Sequence, residues 1–85
     1  MPPYTYRLIP LAAKQFKKLP RQLQIRIIKK VKFFCQTEPL YYAEKLTDKE
    51  IGEFRFCIGN YRVIFDLQDQ MITILKIGHR REIYR

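Results

Sequence analysis

Eighty-five residues make one domain, and a chain this short buries only about 60% of the surface its unfolded form exposes, so its core must be dense or helped by a partner. Hydrophobic residues are 47% of the chain and glycines number three, which excludes disorder over most of its length. Seventeen Lys and Arg stand against eight Asp and Glu, a net charge of +9 that excludes a neutral surface and attracts polyanions, nucleic acid first among them.

Tyr4 to Ile9 alternate as a strand does, ending at Pro10. From Leu11 to Leu19 the period changes: Ala12, Phe16 and Leu19 share a helical face and Lys14, Lys17 and Lys18 lie off it. Pro20 suits the first turn of a second helix, where its missing N–H is no loss. Across residues 21–36, Leu23, Ile27, Val31 and Phe34 form the apolar stripe of that helix. Residues 14–32 hold eight basic side chains and no acidic one. A helical hairpin with a Leu19-Pro20 hinge follows.

Residues 37–50 lose periodicity and gather Glu38, Glu44, Asp48 and Glu50, as a loop does, with Lys45 and Leu46 pinned to the sheet. Phe54, Phe56 and Ile58 then alternate with Arg55 and Cys57, and Gly59-Asn60 is a two-residue hairpin signal. Tyr61, Val63, Phe65 and Leu67 alternate with Arg62, Ile64 and Asp66. After a polar turn at Gln68 to Gln70, Met71 to Ile77 is apolar at nearly every position, as in a strand covered on both faces. The expected fold is α+β, in the order β-α-α-β-β-β, with the helices on one face of an antiparallel sheet.

Cys35 and Cys57 are too few for a disulfide scaffold and lack the spacing of metal ligands. They read as thiols in a reducing cytoplasm, and no metal or other cofactor is expected. No secretory signal is visible in residues 1–10, and no apolar run approaches the roughly 18 residues of a membrane span.

A two-residue turn at Gly59-Asn60 pairs Ile58 with Tyr61, Cys57 with Arg62 and Phe56 with Val63. Paired residues share a face. Arg55, Cys57, Arg62 and Ile64 therefore stand on the side without helices, and a guanidinium in a middle strand is a rigid planar fork for phosphate oxygens. The tail adds His79, Arg80, Arg81, Tyr84 and Arg85. Histidine moves protons near neutrality, tyrosine stacks on a base or exchanges a proton, and arginine stabilises charge growing on a phosphate. These are the parts for metal-free RNA cleavage by the neighbouring 2′-hydroxyl.

The segment GNYRVIFDLQDQMITILKIGHRREIYR resembles the C-terminal half of the RelE/ParE toxin superfamily, through Tyr61-Arg62-Val63, Gly78-His79-Arg80 and Tyr84. AAKQFKKLPRQLQIRII is similar to that family's helical hairpin, and AEKLTD to the loop before its second strand. The resemblance is strongest to RelE-type mRNA interferases, toxins of type II toxin–antitoxin systems. It implies a cofactor-free, ribosome-dependent endoribonuclease that cuts mRNA in the A site of the 70S ribosome and so inhibits translation. It casts Arg62 as the ligand of the scissile phosphate, Arg80 as stabiliser of the transition state or leaving group, and Tyr84 as the residue that stacks on or deprotonates the nucleotide. Arg55 matches the first of two strand lysines; Cys57 occupies the position of the second, and Tyr84 comes two residues earlier after Arg80 than in the type member. Lys45, Arg81 and Arg85 join Arg55 as expected RNA ligands.

Arginine does not deprotonate in proteins, so the proton work falls to Tyr84 or His79. A ParE-like, non-catalytic inhibitor of DNA gyrase is the alternative on the same fold, and a basic RNA-binding domain without activity is a third. The cluster of Arg62, Arg80 and Tyr84 separates the first from the others. Either toxin needs an antidote: an acidic, partly disordered, RelB-like antitoxin forming a hetero-oligomer.

Overall fold

The structure is a computed structural model that describes residues 3–84. Strand β1 (Thr5–Leu8) leads directly into helix α1 (Pro10–Lys17) and then α2 (Arg21–Gln36). Pro10 opens α1 rather than only ending the strand. Its missing N–H is one of the four a helix start leaves unbonded, and its fixed φ suits the first turn. Between α1 and α2 the Gln24 amide donates to the Leu19 carbonyl at 2.9 Å, fixing the hinge.

The acidic stretch is more ordered than its lack of periodicity implied. It contains a one-turn helix α3 (Pro39–Tyr42) and a short strand β2 (Ala43–Lys45). Then come β3 (Phe54–Ile58), β4 (Tyr61–Gln68) and β5 (Met71–His79). The sheet has five strands in the order β1-β5-β4-β3-β2. All neighbours are antiparallel except β1 and β5, which run parallel. That pairing corrects the expectation of a wholly antiparallel sheet: β1 returns to the sheet over the helices, and such a crossover permits parallel pairing where a tight turn does not.

The hairpin register follows the turn. Ile58 pairs with Tyr61, Cys57 with Arg62, Phe56 with Val63 and Arg55 with Ile64. Gly59 takes φ 60°, the left-handed region open to glycine at little cost, and the Arg26 guanidinium of α2 lies over it. The helix-side face carries Phe56, Ile58, Val63, Phe65, Ile72, Ile74 and Ile77, which pack with Ala12, Ile27, Val31 and Phe34 in one core. Phe34, Phe56 and Phe65 form a continuous aromatic column, with centroids 4.6 and 4.4 Å apart. Burying a side chain of this size contributes roughly 2–3 kcal/mol. The core is thus dense rather than merely hydrophobic.

One irregularity shapes everything on the other face. The β4–β5 ladder pairs Phe65 with Ile74 but Ile64 with Lys76, so Leu75 is an extra residue. Such a bulge shifts every later side chain of its strand by one position, which exchanges its two faces. Ile77 therefore pairs with Val63 on the core side, Gly78 with Arg62 on the outer side, and His79 with Tyr61 on the core side. Where β5 runs past the end of β1, its open edge is closed by α1: the Gln15 side chain accepts a hydrogen bond from the Ile77 N–H at 3.0 Å.

Candidate active site

The outer face of the sheet carries two rows of side chains running across its strands. Pairing places Glu44 of β2, Arg55 of β3, Ile64 of β4 and Lys76 of β5 in one row. The next row is Cys57, Arg62 and Gly78. Diagonal neighbours on such a ladder lie about 7–8 Å apart, so Arg55 and Arg62 are within reach of one phosphodiester.

Arg55 is fully engaged. Its Nε and Nη2 donate to Glu44 Oε2 at 3.0 and 2.6 Å, and its Nη1 donates to the Tyr84 hydroxyl oxygen at 2.5 Å. Those partners hold the guanidinium charge still more firmly than usual, the tyrosine hydroxyl contributing most and the carboxylate next. In return, hydrogen bonds and the charge of Arg55 hold the Glu44 carboxyl below its ordinary range. Glu44 also accepts from the Cys57 thiol at 3.6 Å. Partial desolvation raises Cys57 above an ordinary thiol, which suits a neutral S–H donor rather than a nucleophile.

Arg62 is differently placed. One nitrogen, Nη1, donates to the Gly59 and Tyr61 carbonyls, each at 3.0 Å. The backbone aims the side chain, while Nε and Nη2 make no hydrogen bond among the described residues. Arg62 thus keeps donors for an anion, where Arg55 already holds one.

The tail folds back over this face. Glu82 and Ile83 both donate their N–H to the His79 carbonyl, closing a turn. Ile83 is 3% exposed and seats on Gly78, where a Cβ would lie 3.1 Å from Ile83 Cδ1. The Lys76 ammonium donates to the Ile83 carbonyl at 2.9 Å. Tyr84 follows and reaches Arg55, whose Cζ lies 5.8 Å from the ring centroid.

The structure therefore brings Arg55, Arg62 and Tyr84 onto one face. Arg80 ends the ladder: its N–H donates to Asn60 O at 2.8 Å, two residues beyond the partner of Arg62, and its side chain is exposed. His79 lies on the helix side, its ring 5.4 Å from that of Tyr61, away from the arginines. Its Nδ1 accepts from the Arg81 N–H at 3.1 Å, which in the neutral ring leaves the proton on Nε2. Lys45 pairs with Phe54 and so also falls outside the two rows. Arg81 is exposed, and Arg85 lies outside the described residues.

Glu44 and Lys76 are the site-face residues that sequence reasoning missed. Glu44 was legible only as one acid in a loop, because a three-residue edge strand has too few positions to show alternation. Lys76 was visible as the one charge in an apolar strand, but its face depends on the bulge. Among the described residues, no group of His, Cys, Asp and Glu is placed to hold a metal ion.

Residues 6–84 match the family model described as "ParE toxin of type II toxin-antitoxin system, parDE". The chain belongs to this family. As a toxin of the RelE/ParE superfamily it shares its fold with solved toxin–antitoxin assemblies. A chain of the RelBE2 toxin–antitoxin complex from Mycobacterium tuberculosis is 26% identical, with a TM-score of 0.76 over 92% of this chain and 99% of that one. A chain of the archaeal RelE-RelB complex from Pyrococcus horikoshii is 22% identical, with a TM-score of 0.71 over 94% of this toxin and 98% of that chain. A chain of the RelB-RelE complex from Methanococcus jannaschii, 20% identical, has a TM-score of 0.71 over 91% and 93%. A search of curated proteins gives no match for the toxin sequence. No helix among its described residues is long and apolar enough to cross a membrane.

Proposed function

We propose that this toxin is a metal-independent endoribonuclease that cleaves mRNA on the ribosome by attack of a 2′-hydroxyl on the adjacent phosphodiester. The observation that carries the reading is the outer face itself: Arg62 with open donors, Arg55 two positions away on the ladder, and Tyr84 held against Arg55. Arg62 and Arg80 grip the phosphate and offset the charge that grows on its oxygens as the new P–O bond forms. Arg55 joins them when the phosphate competes with Glu44 for its fork. Tyr84, rather than His79, is the proton-transfer group, since His79 faces the core side of the sheet. Arg55 donates to the phenol oxygen, so the Tyr84 O–H is left to point toward an incoming nucleotide.

The antitoxin-bound neighbours support a cognate acidic antitoxin as the partner, in keeping with a net charge of +9. The ribosome and its mRNA are the target of the free toxin. The family model supports a second reading, inhibition of DNA gyrase without catalysis.

Purified toxin added to a translating extract decides between them. The ribonuclease produces new 5′ ends within translated codons of a reporter message, read by primer extension, and an Arg62→Ala/Arg80→Ala double variant does not. A message left intact, together with lost supercoiling by gyrase in a parallel assay, favours the second reading and ends the first.

A further inference from the structure

Lys76 occupies an unusual place for a lysine. It lies in the strand next to the edge strand β1, partly buried, in a run that is otherwise apolar or small from Met71 to Gly78. A lysine there normally extends its stem and sends the ammonium to water. This ammonium instead meets a neutral acceptor, the Ile83 carbonyl at 2.9 Å. Among the described residues the sheet's ion pair is between Arg55 and Glu44, and Lys76 has no carboxylate partner. Partial desolvation of a cation without a counter-ion is unfavourable. What the bond does accomplish is mechanical.

The Ile83 carbonyl is the last backbone group before Tyr84. The tail is held at three successive points: the Ile83 side chain in the notch over Gly78, its carbonyl on Lys76, and the Tyr84 hydroxyl on Arg55. Lys76 and Arg55 sit at either side of Ile64 in one row, so the tail bridges two strand spacings, about 9–10 Å, across β4. With the middle point released, Ile83 still seats but the following peptide is free to swing, and the ring loses its aim at Arg55.

We propose that Lys76 is a positioning residue for Tyr84, tethering the tail so that the tyrosine lies on the outer face beside Arg55 and Arg62. The proposal rests on the ribonuclease reading for its catalytic consequence but not for its structural one. An ammonium at this position has a rival use, direct contact with an RNA phosphate, and the two uses give opposite kinetics. A tether acts through Tyr84 and lowers kcat, since misplacement by about 1 Å can cost on the order of 100-fold. A phosphate contact raises KM and makes binding more salt-dependent.

The test takes the full-length toxin labelled with 3-fluorotyrosine, the Tyr84 resonance being assigned from Tyr84→Phe. In Lys76→Met the Tyr84 line moves toward the free-tyrosine position. Lys76→Arg, which keeps a donor of similar reach, returns it toward wild type. Gly78→Ala, which pushes Ile83 from its notch, moves the same line by an independent route and serves if Lys76→Met fails to fold. In cleavage assays Lys76→Met lowers kcat about 10- to 100-fold with little change in KM, and adds no further loss on a Tyr84→Phe background. An unmoved Tyr84 line in Lys76→Met overturns the proposal whatever the kinetics. So does a loss that is confined to KM, or one that multiplies fully with that of Tyr84→Phe. If wild-type toxin cleaves nothing while the line moves as described, the tether stands and the ribonuclease reading falls.

Discussion

His79 faces Tyr61 across the β4–β5 ladder, on the side of the sheet that carries the helices. The tail's two candidates for proton transfer are thereby divided between the two faces. His79→Ala is expected to keep cleavage within a few-fold of wild type. Tyr84→Phe, which removes only the hydroxyl on Arg55, is expected to lower kcat by about 10²–10⁴, the usual range for a general acid or base. Single-turnover cleavage of a programmed ribosome complex measures both. The reverse order of effects would return the proton to His79.

Arg62 provides a test of fork against charge. Lysine at this position keeps the positive charge but loses the planar pair of donors and the bonds to the Gly59 and Tyr61 carbonyls that aim it. Arg62→Lys is expected to cost about 10²-fold in kcat/KM, with thermal stability nearly unchanged because the side chain is not part of the core. Cleavage rates and a melting curve on the same preparation separate a lost ligand from a lost fold.

Glu44 holds Arg55 as a phosphate would. Glu44→Gln removes that competitor, so a short single-stranded RNA is expected to bind several-fold tighter, with the salt slope steeper by about 0.7 for one more phosphate engaged. Fluorescence polarisation at several salt concentrations reads both. Because Arg55 holds the Glu44 carboxyl below its ordinary range, the stabilising effect of the pair is complete above the ordinary carboxylate range and is lost as pH falls through the lower, folded value. Wild type and Glu44→Gln should therefore differ in melting temperature at neutral pH and converge only in strong acid.

Gly52, in the loop between β2 and β3, is buried against the sheet, where an added Cβ would stand 2.5 Å from Ile64 Cγ2 and 3.3 Å from Leu75 Cδ1. Ile64 is in the row of the site and fully buried, so it cannot move aside freely. Gly52→Ala is expected to destabilise the fold by about 1–3 kcal/mol, as overpacking does. Urea denaturation checks this, and a loss below about 0.5 kcal/mol would mean that the loop lifts off the sheet instead.

Much of this architecture was legible in the residues. The Gly59-Asn60 turn fixes the β3–β4 register, and that register alone puts Arg55, Cys57, Arg62 and Ile64 on the open face. The helical stripe of Leu23, Ile27, Val31 and Phe34 reads directly as the face over the sheet. What was not legible came from long-range pairing. The Thr5–Leu8 strand lies beside β5 in parallel because of where the whole chain returns, and no local pattern encodes that. The Ala43–Lys45 strand is recognisable only once Arg55 is there to pair with Glu44. The bulge is marked by Lys76 alone: alternation from Ile72 and Ile74 would turn that lysine into the core, but one charge in an otherwise apolar run does not say which neighbouring residue is the extra one.

The extra residue at Leu75 makes the pairing of this strand matter as much as its composition. Conservative exchanges among Ile, Leu and Val between Met71 and Ile77 leave the pairing intact. Loss of that single codon would remove the bulge and leave Lys76 opposite Ile64, Ile77 opposite Val63 and Gly78 opposite Arg62, because alternation from Ile74 then runs unbroken. A chain of unchanged length that paired Leu75 with Ile64 instead would turn Lys76 and Gly78 inward and His79 outward, so the bulge, and not the residue count, is what gives the outer face its lysine and its notch.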